Sequence, residues 1–230
     1  MSWFTNFLTS SIGQKFVMSL TGLFLILFLA IHLIGNLQLM NDDNGVAFNL
    51  YTYFMTHNPL IKIVSYVLYI SILVHAIQGW LLWAKNRAAR GSQRYAVQKV
   101  RSTKGTSAFA STRMGALGTI IFVFIMVHLY QFWLQLKLDA LPYVEIEGQK
   151  YKDMYWMVAQ TYENAGFVAF YVISMIVIAF HMWHGFQSAF QTLGLEHEKY
   201  TPAVKFIGKV YSVVVPALFA LIPVWMFLKG

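Results

Sequence analysis

The chain has 230 residues, of which 58% are hydrophobic and 11% charged, with a formal charge of +8 and no cysteine. A soluble domain carries roughly 25% charged residues, so this composition excludes one and points to a membrane protein. The missing thiols exclude disulfides, iron–sulfur ligation, thioether haem attachment and thiolate catalysis within this chain, leaving His, Met or oxygen to hold any metal.

The first fifteen residues, MSWFTNFLTSSIGQK, are polar and aromatic, with no short apolar core ahead of a small-residue cleavage site. The segment is expected to be retained. Long apolar runs then recur at about 16–40, 60–84, 114–136, 166–190 and 206–228, each at least the ~20 residues an α-helix needs to cross hydrocarbon. None shows the alternation of barrel strands, and backbone groups in lipid must be satisfied internally, so the runs predict an all-α integral membrane bundle of five transmembrane helices. No repeat or low-complexity tract appears, and the chain reads as one transmembrane domain over 1–230. Pro216 and Pro223 fall inside the fifth run and should kink it.

The charges mark sidedness. The segment from Lys85 to Arg113 carries eight Lys/Arg and no acid, and Lys15, Lys199, Lys205 and Lys209 share its side. The opposite side holds the 41–59 loop, with Asp42 and Asp43, and the 137–165 loop, with five acids. By the positive-inside rule the N-terminus is cytoplasmic and the C-terminus outside. The basic segment then serves as a positive-inside anchor against anionic lipid headgroups or as a docking surface for a soluble partner; nucleic acid is not implied.

Five of the seven histidines lie inside spans: His32, His75, His128, His181 and His184. Ionisable groups at that depth are costly and usually functional, and four successive spans each carry at least one. Depth counted at 1.5 Å per residue puts His32 ~25 Å and His128 ~22 Å from the cytoplasmic ends of their spans, His75 ~15 Å and His184 ~18 Å. Two levels result, pairing His32 with His128 and His75 with His184. His181 and His184 lie about 60° apart on their helix, so either could face inward; the depth match favours His184 as ligand and leaves His181 as a hydrogen-bonding neighbour. Zinc asks for three or four protein ligands, whereas haem b asks only for axial groups, so one imidazole pair per haem is sufficient. Gly35, Gly79 and Gly185 lie close to these histidines in sequence and suit a flat macrocycle, though small residues also serve ordinary helix packing.

Taken in order, "IHLIGN" around His32, "LVHAIQGWLLWAKNR" around His75, "VHLYQFW" around His128 and "MWHGFQSAFQTLG" around His184 resemble the two-haem cytochrome b membrane subunit of succinate:quinone oxidoreductases and fumarate reductases, of the single-polypeptide, five-helix type. The resemblance covers nearly the whole chain. It implies one haem b between His32 and His128, distal to the soluble subunits, and one between His75 and His184, proximal to them. It also implies an iron–sulfur subunit and a flavoprotein as cytoplasmic partners, quinone in the bilayer as substrate with menaquinone expected, and the bacterial cytoplasmic membrane as location. Succinate and fumarate would interconvert on the flavoprotein, and quinone would be oxidised or reduced at this subunit. Some menaquinol-oxidising relatives of that type are thought to move protons through carboxylates in the helices, one of them two residues before the proximal ligand; here that position is Met182, and no Asp or Glu lies deep in any span.

A quinone site needs an apolar slot with one or two proton-exchanging groups. In "NLYTYFMTHNPLIK", His57 and Tyr53 are the candidates, with Asp42 or Asp43 as proton relay; an aromatic belt residue and a solvated loop histidine are the plainer reading. Arg113, Lys85, Ser19 and Tyr130 are candidate partners for haem propionates, and Glu196, His197 and Glu198 are expected to be solvated. Two further functions stay open on the residues: the haem b anchor of a formate dehydrogenase or hydrogenase, and a proton-coupled transporter with intramembrane histidines.

Overall fold

The computed structural model describes residues 3–90 and 108–229. It is an all-α chain whose helices are, in order, α1 (Trp3–Thr9), α2 (Ser11–Leu37), α3 (Val46–His57), α4 (Pro59–Arg90), α5 (Ala108–His128), α6 (Gln135–Lys137), α7 (Met154–Tyr162), α8 (Ala165–Thr192) and α9 (Thr201–Lys229). A π-helical turn, Leu129–Leu134, joins α5 to α6, and a hairpin of β1 (Tyr143–Ile146) and β2 (Gln149–Lys152) precedes α7. Five stretches are long and apolar enough to cross a membrane: Ser11–Met40, Pro59–Ala89, Thr112–Lys137, Ala165–Thr192 and Thr201–Lys229. Each covers one of the runs read from hydropathy. Large apolar side chains such as Leu27, Ile34, Ile63, Ile70, Ile77, Ile173 and Leu221 stand exposed along them, as expected of helices solvated by lipid tails.

The helix ends are set by short polar side chains. Asn58 accepts from the backbone N–H groups of Leu60 (2.9 Å) and Ile61 (3.3 Å), just before Pro59 opens α4, where proline's missing N–H is not needed. Asn164 does the same for Gly166 (2.8 Å) and Phe167 (3.3 Å) at the start of α8. At the other end of α8, Gly194 takes φ +71°. Its N–H donates to the Gln191 carbonyl, and that of Leu195 donates to Phe190, a Schellman stop that a residue with a Cβ would strain.

The 41–59 and 137–165 segments, read from sequence as loops, are ordered. Asp43 accepts from the N–H groups of Gly45 (3.0 Å) and Ala47 (2.9 Å) and starts α3. In the hairpin, Glu147 and Gly148 both have positive φ, 50° and 77°, the requirement of the two-residue turn whose twist matches the strands. The register sets Glu145 opposite Lys150. Lys152 binds Asp139 at 2.8 Å and Tyr143 donates to the same carboxylate at 2.9 Å, and these hydrogen bonds hold the Asp139 carboxyl below the usual carboxylate range.

The helix α3 is tied to α7 by one buried side chain. Asn49, 2% exposed, donates to Asp153 Oδ1 (2.9 Å) and accepts from the Tyr155 N–H (3.0 Å), while Asp153 also caps α7 at the Trp156 N–H (2.9 Å). Substituting Asn49→Ala leaves the part-buried Tyr155 N–H without its partner and takes one of two hydrogen bonds from Asp153 Oδ1, which predicts a loss of about 1 kcal/mol, read as a lowered midpoint in detergent unfolding. An unchanged midpoint would show that the node carries no stability.

Contacts divide the chain into two compact units. One holds Met1–Leu27, Leu68–Thr119 and Ile178–Val213; the other holds Phe28–Val67, Ile120–Val177 and Val214–Gly230. Each unit therefore takes a segment from all five long helices. Most of the basic stretch between Lys85 and Arg113, read as a lipid or partner contact, lies outside the described residues.

Candidate functional site

Each compact unit contains one pair of facing imidazoles. In the first, His75 on α4 and His181 on α8 stand with ring centres 6.2 Å apart and planes at 65°. In the second, His32 on α2 and His128 at the end of α5 stand 5.8 Å apart at 86°. Two imidazoles bound through Nε2 to opposite faces of one iron, at a metal–nitrogen distance of about 2.0 Å, have ring centres about 6 Å apart. Both separations match that span.

The His75–His181 pair corrects the sequence expectation that His184 faces His75. Depth counted from charged helix ends cannot separate positions three residues apart, about 4.5 Å of rise, and the helix azimuth turns the nearer ring of His181 to α4. His184 stays on the same helix, partly buried, with no hydrogen bond on its Nδ1. The neighbouring backbone is shaped to the rings. A Cβ on Gly22 of α2 would lie 3.2 Å from His75 Cε1, so that glycine lets the imidazole rest close to the helix, whereas one on Gly118 of α5 would lie 3.9 Å from His181 Cε1, an ordinary contact. At Gly185, one turn beyond His181, an added Cβ would meet nothing within 4 Å; Gly79, one turn beyond His75, would meet only the end of Met18, at 3.3 Å. Gly35 serves otherwise: the Tyr51 ring lies against it, 2.3 Å from where a Cβ would be.

In the second unit, aromatic rings enclose the pair. Phe28 stacks on His32 at 5.3 Å and 16°, and Phe219 of α9 lies 5.5 Å away. On the other side Phe124 and Phe132 flank His128 at 5.8 and 5.3 Å. Tyr171 of α8 is buried beside them.

The hydrogen bonds of the four facing rings involve Nδ1. That of His75 lies 3.2 Å from the Thr21 hydroxyl, that of His128 3.5 Å from the Tyr171 hydroxyl and that of His32 3.4 Å from the Asn36 amide nitrogen; that of His181 is buried without a partner. Among the described residues no hydrogen bond reaches Nε2 of any of the four. Each of the four histidines is partly exposed. Among the described residues no group of three or more His, Cys, Asp and Glu is placed to hold a metal, which suits a tetrahedral zinc poorly. Two axial nitrogens per site fit a haem, whose macrocycle supplies the other four.

Other sequence candidates fall in varied places. Tyr53 and His57 stack at 3.9 Å and 23°, with Tyr151 of β2 edge-on to Tyr53 at 5.0 Å, and His57 Nδ1 donates to the Tyr53 carbonyl at 2.9 Å. His57 is an exposed residue. Asp42 is bound to Lys229 at 2.9 Å, and that hydrogen bond holds its carboxyl below the usual range. Asp43 is committed to capping α3. Ser19 donates to the Lys15 carbonyl at 2.9 Å, Lys85 donates to the buried Gln14 at 2.9 Å, Arg113 is exposed on α5 and Tyr130 is 64% exposed; of the four, Ser19, Lys85 and Arg113 share the first unit with the His75 pair. Sequence reasoning missed Thr21, Gly22, Gly118, Gln131 and Tyr171, none of which carries a signal until the helices pack.

Compared with family models, with curated proteins and with solved structures, the chain shows no match.

Proposed function

We propose that this chain is the membrane anchor and electron-transfer subunit of a succinate dehydrogenase or fumarate reductase, binding two haems b, one between His75 and His181 and one between His32 and His128. The observation that carries the reading is the pair of imidazole couples, 6.2 and 5.8 Å between ring centres, one in each compact unit. Haem supplies one-electron chemistry when bound. The four histidines would hold the haems through imidazole nitrogen among apolar and aromatic side chains, and a haem so held would suit electron transfer. The motif resemblance supplies the partners: an iron–sulfur subunit and a flavoprotein on the cytoplasmic side, and quinone, with menaquinone expected, in the membrane. The charge distribution puts the basic segment on the cytoplasmic side, and quinone exchange belongs with the Tyr53–His57–Tyr151 cluster.

A reduced-minus-oxidised optical spectrum of the purified chain tests this directly. Two b-type haems per chain are expected. A colourless protein after expression with sufficient haem would sink the reading and favour a proton-coupled transporter.

A further inference from the structure

Each proposed iron has one axial imidazole whose Nδ1 stands against a hydroxyl that has already given its proton away. The hydroxyl of Thr21 donates to the Val17 carbonyl at 2.8 Å, and its oxygen lies 3.2 Å from His75 Nδ1. In the other unit, the Tyr171 hydroxyl donates to Gln131 Oε1 at 2.7 Å, and its oxygen lies 3.5 Å from His128 Nδ1. A hydroxyl has one proton and two lone pairs, so with the proton committed, what remains toward each ring is an acceptor. The ring nitrogen must then be the donor. His75 and His128 are thereby fixed as Nδ1–H tautomers, with the Nε2 lone pair left to bind iron. The Met18 backbone carbonyl accepts a hydrogen bond from the same His75 ring. Gln131 reaches Tyr171 from the π turn that begins immediately after His128.

The opposing ligands lack such a partner. The Nδ1 of His181 is buried without a hydrogen bond. The atom nearest to that of His32 is the amide nitrogen of Asn36, which donates to the His32 carbonyl at 2.8 Å, and an amide nitrogen cannot accept a proton from the ring.

We propose that Thr21 and Tyr171 are positioning residues, each accepting Nδ1–H from one axial histidine and thereby setting both its tautomer and its donor strength. This rests on the haem reading of the two pairs. An acceptor on Nδ1–H makes the imidazole more basic, which favours the oxidised iron and lowers the midpoint potential. Taking the acceptor away should raise it.

The test is a redox titration of the full chain in detergent, followed in the b-type α band. The native chain should show two waves. Thr21→Val should move one wave to a more positive potential, and Thr21→Ser should return it. Tyr171→Phe should move the other wave in the same direction, and so should Gln131→Leu, which lets the tyrosine proton turn toward the ring. Loss of one haem from Thr21→Val with full retention in Thr21→Ser supports the same role; equal loss in both overturns it. Two bound haems with both waves unmoved in Thr21→Val and Tyr171→Phe also overturn it. If the native chain binds no haem, the parent reading fails instead, and that is visible before any potential is measured.

Discussion

Substituting His181→Ala should remove one of the two haems, and the same one that His75→Ala removes, while His184→Ala should leave both in place. The rings of His75 and His181 face one another at 6.2 Å, so on the proposed reading either substitution would leave a haem there with one imidazole in place of two. His184 follows His181 by three residues, which on a helix is a displacement of about 4.5 Å and 60°. Counting haems per chain by pyridine haemochrome separates the outcomes: one haem for His75→Ala and His181→Ala, two for His184→Ala. The reverse result would restore His184 as the ligand and require α8 to rotate relative to the geometry described here.

Substituting His32→Ala or His128→Ala should remove the other haem, and the double variant should lose no more than either single one. Groups that act as one unit are grossly non-additive, because the first removal already abolishes what the second contributes to. The enclosing rings of Phe28, Phe219, Phe124 and Phe132 supply apolar contact but no replacement ligand. A titration that lost one wave in both single variants and the same wave in the double variant would meet the expectation. Loss of different waves from His32→Ala and His128→Ala would break the pairing.

What could be read in advance follows the range of the forces involved. The five spans depend on the apolar length of local sequence, and the structure has a membrane-length helix at each. The presence of histidines at depth was equally visible. Their partners were not, because pairing depends on helix azimuth and tilt, which a count of residues from a charged end does not contain; that is how His184 was preferred to His181. The hairpin carried a local signal in the Glu147–Gly148 dipeptide that the reading of 137–165 as a loop passed over. Thr21 and Tyr171 were beyond reach for a different cause. A threonine and a tyrosine in apolar spans look like ordinary filling, and their meaning comes only from the ring nitrogens that distant segments bring to them. The partner of Asp42 was equally out of reach, since Lys229 lies 187 positions away.

The π-helical turn at Leu129–Leu134 has a consequence for how this chain tolerates change. A π turn is an α-helix carrying one surplus residue, so everything after it is indexed separately from everything before. Deleting a single residue there would let the helix relax to ordinary α geometry and rotate the downstream side chains by about 100°, swinging Gln131 off Tyr171 while His128 keeps its place. The surplus residue thus works as a phase adjuster, allowing the His128-bearing and loop-facing parts of one helix to vary independently.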